Sequence, residues 1–155
     1  MKTIRISCIG SGDITPESPT YELAFETGKL LAHAGWIVVC GGLRGVMEAV
    51  CRGAKEAGGA TVGIVPTNNP ADANPWVDTP VATGLGPMRN YLVVINGDAV
   101  LAFEGGAGTR SELALSQKTG KEVVALAAHP GFDDLTRAET PAEAVRMLAD
   151  IVSRR

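Results

Sequence analysis

The stretch Ala99–Lys118, AVLAFEGGAGTRSELALSQK, changes its pattern halfway along. Ala99–Phe103 is a short apolar run suited to a buried strand, and Arg110–Lys118 reads as a helix. Gly105, Gly106 and Gly108 stand between them. A strand that passes through a glycine turn straight into a helix is a building unit of α/β proteins.

The same succession recurs on either side. Ile4–Ile9 and Trp36–Cys40 are short apolar runs with a helical segment between, the pattern of a βαβ unit. Ser18 suits the N-cap of that first helix, Pro19 its first position and Gly35 the residue past its end. Leu23, Leu30, Leu31 and Ala34 are expected on its inner face. A second helix, Val46 to Ala57, aligns Val46, Val50, Gly53 and Ala57 and stops at Gly58-Gly59 before a strand at Ala60–Val65. Thr67–Asp78, rich in Pro and Asn, reads as a loop over the site. An extended piece at Thr79–Ala82 precedes a helix at Pro87–Ile95, and after Lys118 come a strand at Glu122–Ala127 and a helix at Pro141–Val152. The alternation predicts one domain over residues 1–155, a doubly wound, mainly parallel sheet with helices on both faces. Its ligands belong at the carboxyl ends of the strands.

A chain of 155 residues can bury roughly 70% of its unfolded surface in one core, so no disulfide or metal is needed to hold it. Cys8, Cys40 and Cys51 lie in apolar segments and read as buried thiols, which suits a reducing cytoplasm. Met1-Lys2-Thr3 runs directly into a strand pattern without a signal peptide's apolar region, and no apolar run approaches the ~20 residues of a membrane span. A net charge of -3 with scattered basic residues excludes the footprint of a nucleic-acid binder. The partner expected is a small anionic ligand held by backbone amides and one or two arginines.

Three glycine loops fall on the predicted ligand edge: Gly10-Ser11-Gly12, Gly41-Gly42-Leu43-Arg44-Gly45 and Gly105-Gly106-Ala107-Gly108-Thr109. Glycine at a strand's carboxyl end makes a tight turn, and it also lets a phosphate reach the amides of a helix N-terminus. Two established fingerprints are absent. Gly10-Ser11-Gly12 continues as Asp13-Ile14-Thr15, and no acidic residue ends the second strand, so the dinucleotide motif fails; no Gly-Lys-Ser/Thr occurs, so the P-loop fails too. Thr109-Arg110-Ser111-Glu112 has the spacing of a capping box, which would employ Glu112 on its own helix. The alternative is a carboxylate beside a phosphate cradle, with Arg89 of "GPMRN" reaching the same edge. His33 reads as a helix-face residue and His129 as a loop residue near that edge. No metal site is expected from either.

The segments GGLRGVMEAVCRGAKEAGG, GPMRN and EGGAGTRSE, in this order, resemble the LOG-like (SLOG) Rossmann superfamily over about Ile4 to Leu126. That superfamily includes cytokinin-activating nucleoside 5'-monophosphate phosphoribohydrolases, molybdenum cofactor carrier proteins and proteins labelled lysine decarboxylases. NPWVDTPVATGLGPMRN is similar to the short carrier-like branch. The resemblance implies a phosphate on the third glycine loop, a catalytic glutamate at Glu112 and an arginine partner at Arg89. Two positions depart from the hydrolase pattern: Asn90 replaces a lysine and Glu104 a proline, which removes one positive charge and adds a negative one. The implied function is therefore binding of a phosphorylated, nucleotide-like molecule, with the molybdenum cofactor foremost and N-glycosidic hydrolysis of a nucleoside monophosphate second. Decarboxylation finds no lysine in a glycine loop to carry it. The binding set comprises Gly10, Ser11, Gly41, Gly42, Arg44, Arg89, Asn90, Gly105, Gly106, Ala107, Gly108 and Thr109. The resemblance also implies a homodimer or homotetramer, in keeping with the consecutive apolar block Leu92-Val93-Val94, which cannot all face one sheet.

Overall fold

The computed structural model describes residues 2–155 and forms a single seven-stranded sheet in the order β4-β3-β2-β1-β5-β6-β7, every pairing parallel. The strands are β1 (Arg5–Ile9), β2 (Ile37–Cys40), β3 (Thr61–Val65), β4 (Thr79–Ala82), β5 (Ala99–Ala102), β6 (Val123–Ala125) and β7 (Thr136–Arg137). The helices are α1 (Pro19–His33), α2 (Val46–Glu56), α3 (Arg89–Asn96), α4 (Ala107–Thr119) and α5 (Pro141–Ser153). Core packing divides them between the two faces. One apolar cluster unites α1, α2 and α5 with Ile6, Cys8, Val38, Cys40 and Leu101 of the sheet; the other sets Val93, Val94 and Leu113 of α3 and α4 against Ile9, Val39 and Val100. Chain order reverses between β2-β1 and β5, and the crevice at that switch lies beyond the ends of β1 and β5.

Local signals act as expected at α1, where Ser18 Oγ accepts from the Thr20 amide, Pro19 takes the first position and Gly35 follows the cap at φ 77°. Its buried stripe differs from expectation. Tyr21, Ala24, Gly28 and Leu31 face inward, while Leu23 and Leu30 flank them and Ala34 is exposed. The reason is close helix packing: a Cβ on Gly28 would stand 2.2 Å from the Val50 carbonyl, and one on Gly53 1.9 Å from that of Phe25. Two glycines let the α1 and α2 backbones touch, so α1 turns its small residues toward α2.

Three further expectations need correction. The helix expected at Pro87 begins as a 3-10 turn, Gly86–Met88, with α3 proper from Arg89. Helix α4 begins at Ala107, three residues before the expected Arg110, so Thr109 lies inside its first turn and caps nothing. Residues 67–78 do not cover the crevice. Asn74 Nδ2 donates to the Leu43 carbonyl at 2.8 Å, Thr61 Oγ1 donates to that of Trp76 at 2.6 Å, and Trp76 and Val77 join the core. These bonds secure the segment beside β3. No helix among the described residues is long and apolar enough to cross a membrane.

Candidate functional site

Ser11 holds the crevice together. Its amide donates to the Glu104 carbonyl at 2.8 Å, and its carbonyl accepts from the Val46 amide at 2.9 Å. The first glycine loop is thus fastened both to the end of β5 and to the start of α2. Gly45, at φ 65°, makes this possible, since a Cβ there would stand 2.3 Å from the Ser11 carbonyl.

A cleft of about 200 Å³ opens above this junction. Gly10, Ser11, Gly41, Arg89, Asn90, Gly106, Ala107, Gly108, Thr109 and Glu112 all line it, so the structure brings most of the expected residues together. Gly42, Arg44 and Gly105 do not. Gly42 is turned under the loop at φ 76° beside Val65; Arg44 points to solvent and pairs with Glu48 at 3.9 Å; Gly105 packs against Thr109. Cys8, Ile9, Gly12, Asp13 and Met47 complete the lining. Gly12 is marked by the first glycine loop, whereas Met47, two residues past the second loop, carries no such mark. Glu104, expected to bring negative charge toward a phosphate, is exposed and receives a hydrogen bond from Thr20 Oγ1 at 3.4 Å instead.

One wall of the cleft is the amino end of α4. Gly106 is its N-cap, no side chain caps it, and the first helical bond is that from the Arg110 amide to the Gly106 carbonyl. The amides preceding it have no partner within the helix and carry the positive end of its dipole. Beyond Gly106 and Gly108 there is open space where a Cβ would stand. This end is open to an anion.

Opposite lies Arg89, only 9% exposed, at the first position of α3. Its Nη1 donates to Asn90 Oδ1, Asn90 Nδ2 donates to Ser111 Oγ at 3.0 Å, and Nε has no partner. A Cβ on Gly41 would come within 2.8 Å of the Arg89 guanidinium, so glycine there makes room for it. Glu112, 7% exposed, projects into the same space from α4. Burial pushes its pKa up to about 8, with Arg89 opposing the shift too weakly to cancel it. Burial also lowers the pKa of Arg89, against Glu112 and Cys40. A guanidinium nevertheless keeps its proton at neutral pH. Near pH 7, then, Glu112 is mostly a neutral acid and Arg89 an uncompensated cation. No ion pair joins the two among the described residues.

Below the cleft, Cys40 and Cys51 approach to 3.5 Å as free, buried thiols, and Cys8 is free and buried as well. Hydrogen bonding to Cys51 lowers the pKa of Cys40 and raises that of its partner.

Known proteins share this architecture over its full length. The molybdenum cofactor binding protein of Rippkaea orientalis superposes with a TM-score of 0.89 at 34% identity, covering 98% of this chain and 99% of its own. The Moco carrier protein of Chlamydomonas reinhardtii gives 0.86 at 31%, covering 99% and 100%. An uncharacterized protein of Archaeoglobus fulgidus is 40% identical over 94% of both chains. A cytokinin riboside 5'-monophosphate phosphoribohydrolase of Mycobacterium tuberculosis is 35% identical over 105 residues, which span 62% of this chain and 55% of that protein. With a family profile matching residues 3–150, the chain belongs to the SLOG cluster4 family.

Proposed function

We propose that the protein binds a phosphorylated, nucleotide-like small molecule at this cleft and acts as a molybdenum cofactor carrier. The observation that carries the reading is the buried Arg89 guanidinium, its Nε unpartnered, across from the uncapped amino end of α4. A buried charge without a counterion is costly, and a phosphate supplies one. The amides of residues 106–109 receive the phosphate and Arg89 balances its charge. Gly10, Ser11 and Gly41 shape the floor, and Asn90 keeps Arg89 in place. The donor set fits the phosphate end of the molybdenum cofactor, whose bound metal would supply redox chemistry to a recipient enzyme. This chain's own residues hold and orient the anionic end. Similarity to the cofactor-binding and carrier proteins supports the pterin-based ligand.

The second reading is N-glycosidic cleavage of a nucleoside monophosphate, favoured by the similarity to the phosphoribohydrolase and by Glu112 beside the cleft. An ionised glutamate there would stabilise oxocarbenium charge. The raised pKa of Glu112 works against it, because a neutral acid does so poorly. Two measurements test the readings. Mass spectrometry of small molecules released from purified, undialysed protein is expected to show a phosphorylated pterin. Incubation with a panel of nucleoside monophosphates, followed by chromatography, is expected to show negligible free base. Base release abolished by Glu112→Ala would reverse the order.

A further inference from the structure

Arg89 and the amino end of α4 account for the anionic part of a ligand, but the same cleft also carries Asp13, an exposed carboxylate that forms no ion pair among the described residues. The Asp13 amide donates to Ser11 Oγ at 3.1 Å, and Ser11 is itself bonded to the Glu104 carbonyl and the Val46 amide. The backbone of Asp13 is therefore anchored at the rim of the cleft. Half-buried Met47 lies between this rim and the cation. Met47 Sδ and the Arg89 guanidinium both come within 2.8 Å of where a Cβ on Gly41 would stand, and Met47 Cε comes within 3.5 Å of one on Gly12, the residue next to Asp13. The floor of the cleft runs from the guanidinium over a thioether to the segment that bears the carboxylate.

A negative charge at this place does not assist a phosphate, since it repels one. It serves a part of the ligand that presents hydrogen-bond donors. The two oxygens of a carboxylate match two parallel N–H groups on a planar edge. None of the described residues that line the cleft is aromatic, so a ring cannot be recognised there by stacking on an aromatic side chain and has to be read at its edge. We propose that Asp13 is the specificity-determining residue of the cleft and selects a ring with a 2-amino-4-oxopyrimidine edge, the edge shared by guanine and pterin. Its carboxylate accepts from the ring N–H and from the 2-amino group while the phosphate rests on α4, and Met47 underlies the part of the ligand that links them. The proposal rests on the reading of the cleft as a phosphate site.

Calorimetric titration of the full chain with GMP and IMP, which differ only in the 2-amino group, is expected to show GMP binding about tenfold more tightly. Asp13→Asn is expected to bring this ratio close to one, because the amide replaces one acceptor oxygen by a donor, and to leave the Tm unchanged. Inorganic phosphate, which occupies only the anion end, is expected to bind the variant no less tightly than the native chain. Neopterin monophosphate separates the two rings: it is expected to lose about tenfold in affinity on Asp13→Asn, as GMP does. Native affinity above that for GMP assigns the edge to a pterin, and the reverse order assigns it to guanine. Equal affinities for GMP and IMP in the native chain, or a preference that survives Asp13→Asn, overturn the proposal while phosphate binding still supports the anion site. Failure of phosphate and of every phosphorylated probe to bind overturns both.

Discussion

Asn90 Nδ2 donates to Ser111 Oγ at 3.0 Å, and Ser111 Oγ donates to the Gly108 carbonyl at 2.6 Å. Helices α3 and α4 are therefore latched together at the ends that carry Arg89 and Glu112. Ser111→Ala removes the latch and leaves Asn90 Nδ2 unpaired. It is expected to cost about 1 kcal/mol in a denaturant melt and to weaken inorganic phosphate binding several-fold by calorimetry. Ser111→Thr, which keeps the hydroxyl, is expected to restore both.

Gly106→Val separates ligand contact from chain geometry. A Cβ at Gly106 meets nothing within 4 Å, so the added bulk falls in the space assigned to the phosphate, and affinity is expected to collapse at a nearly unchanged Tm. Gly53→Ala is the counterpart. Its Cβ would stand 1.9 Å from the Phe25 carbonyl, and α1 and α2 must move apart, at a cost of about 1–3 kcal/mol or more. Thermal melts paired with phosphate titrations check both expectations.

Glu112 makes the cleft sensitive to alkali. With its folded pKa near 8 against an ordinary value of 4.5, the native state binds more protons than the unfolded chain throughout that interval. Stability conferred by the neutral acid is complete below the ordinary value and declines as pH rises through about 8, by at most on the order of 5 kcal/mol. Glu112→Gln removes the dependence. The variant is expected to gain stability relative to the native chain between pH 5 and pH 9, and its phosphate affinity should stay flat where the native affinity falls above about pH 8. Urea melts and titrations across that range supply the test.

Apolar surface is left exposed around α3 and the sheet face it covers. Val39, Val62, Ile64, Val81 and Leu92 line an apolar recess of about 190 Å³, while Met88 is 73% exposed, Leu85 50% and Tyr91 44%. A homo-oligomer formed through this face is the expected state in solution. Light scattering at micromolar concentration is expected to give at least a dimeric mass, and Met88→Asp combined with Tyr91→Asp to reduce it to that of one chain.

Much of this fold is legible in the residues because signals at several levels agree. Ser18, Pro19 and Gly35 mark both ends of α1; the apolar runs of β1 and β2 pass directly into glycine, and that of β5 does so after Glu104. The start of α4 is harder to read. Thr109 and Glu112 imitate a capping box, yet the helix starts from Gly106 with bare backbone amides, and an uncapped terminus leaves no side-chain mark. Strand β7 is two exposed residues long, too short for any periodicity. Arg44 illustrates the limit for the site: a loop position is evident from glycine spacing, but solvent exposure and the pairing with Glu48 depend on how α2 is rotated.

The double attachment of Ser11, to Glu104 and to Val46, bears on how fast a ligand arrives. Loops already fastened to each other should need little ordering on binding, so capture is expected to be a simple encounter. Its rate is governed by diffusion and by the field of a chain whose net charge is -3, which slows an anion on approach. Added salt screens that repulsion. Stopped-flow association of a phosphorylated ligand is therefore expected to accelerate modestly with ionic strength in its long-range component, the reverse of the behaviour of a basic phosphate-binding surface.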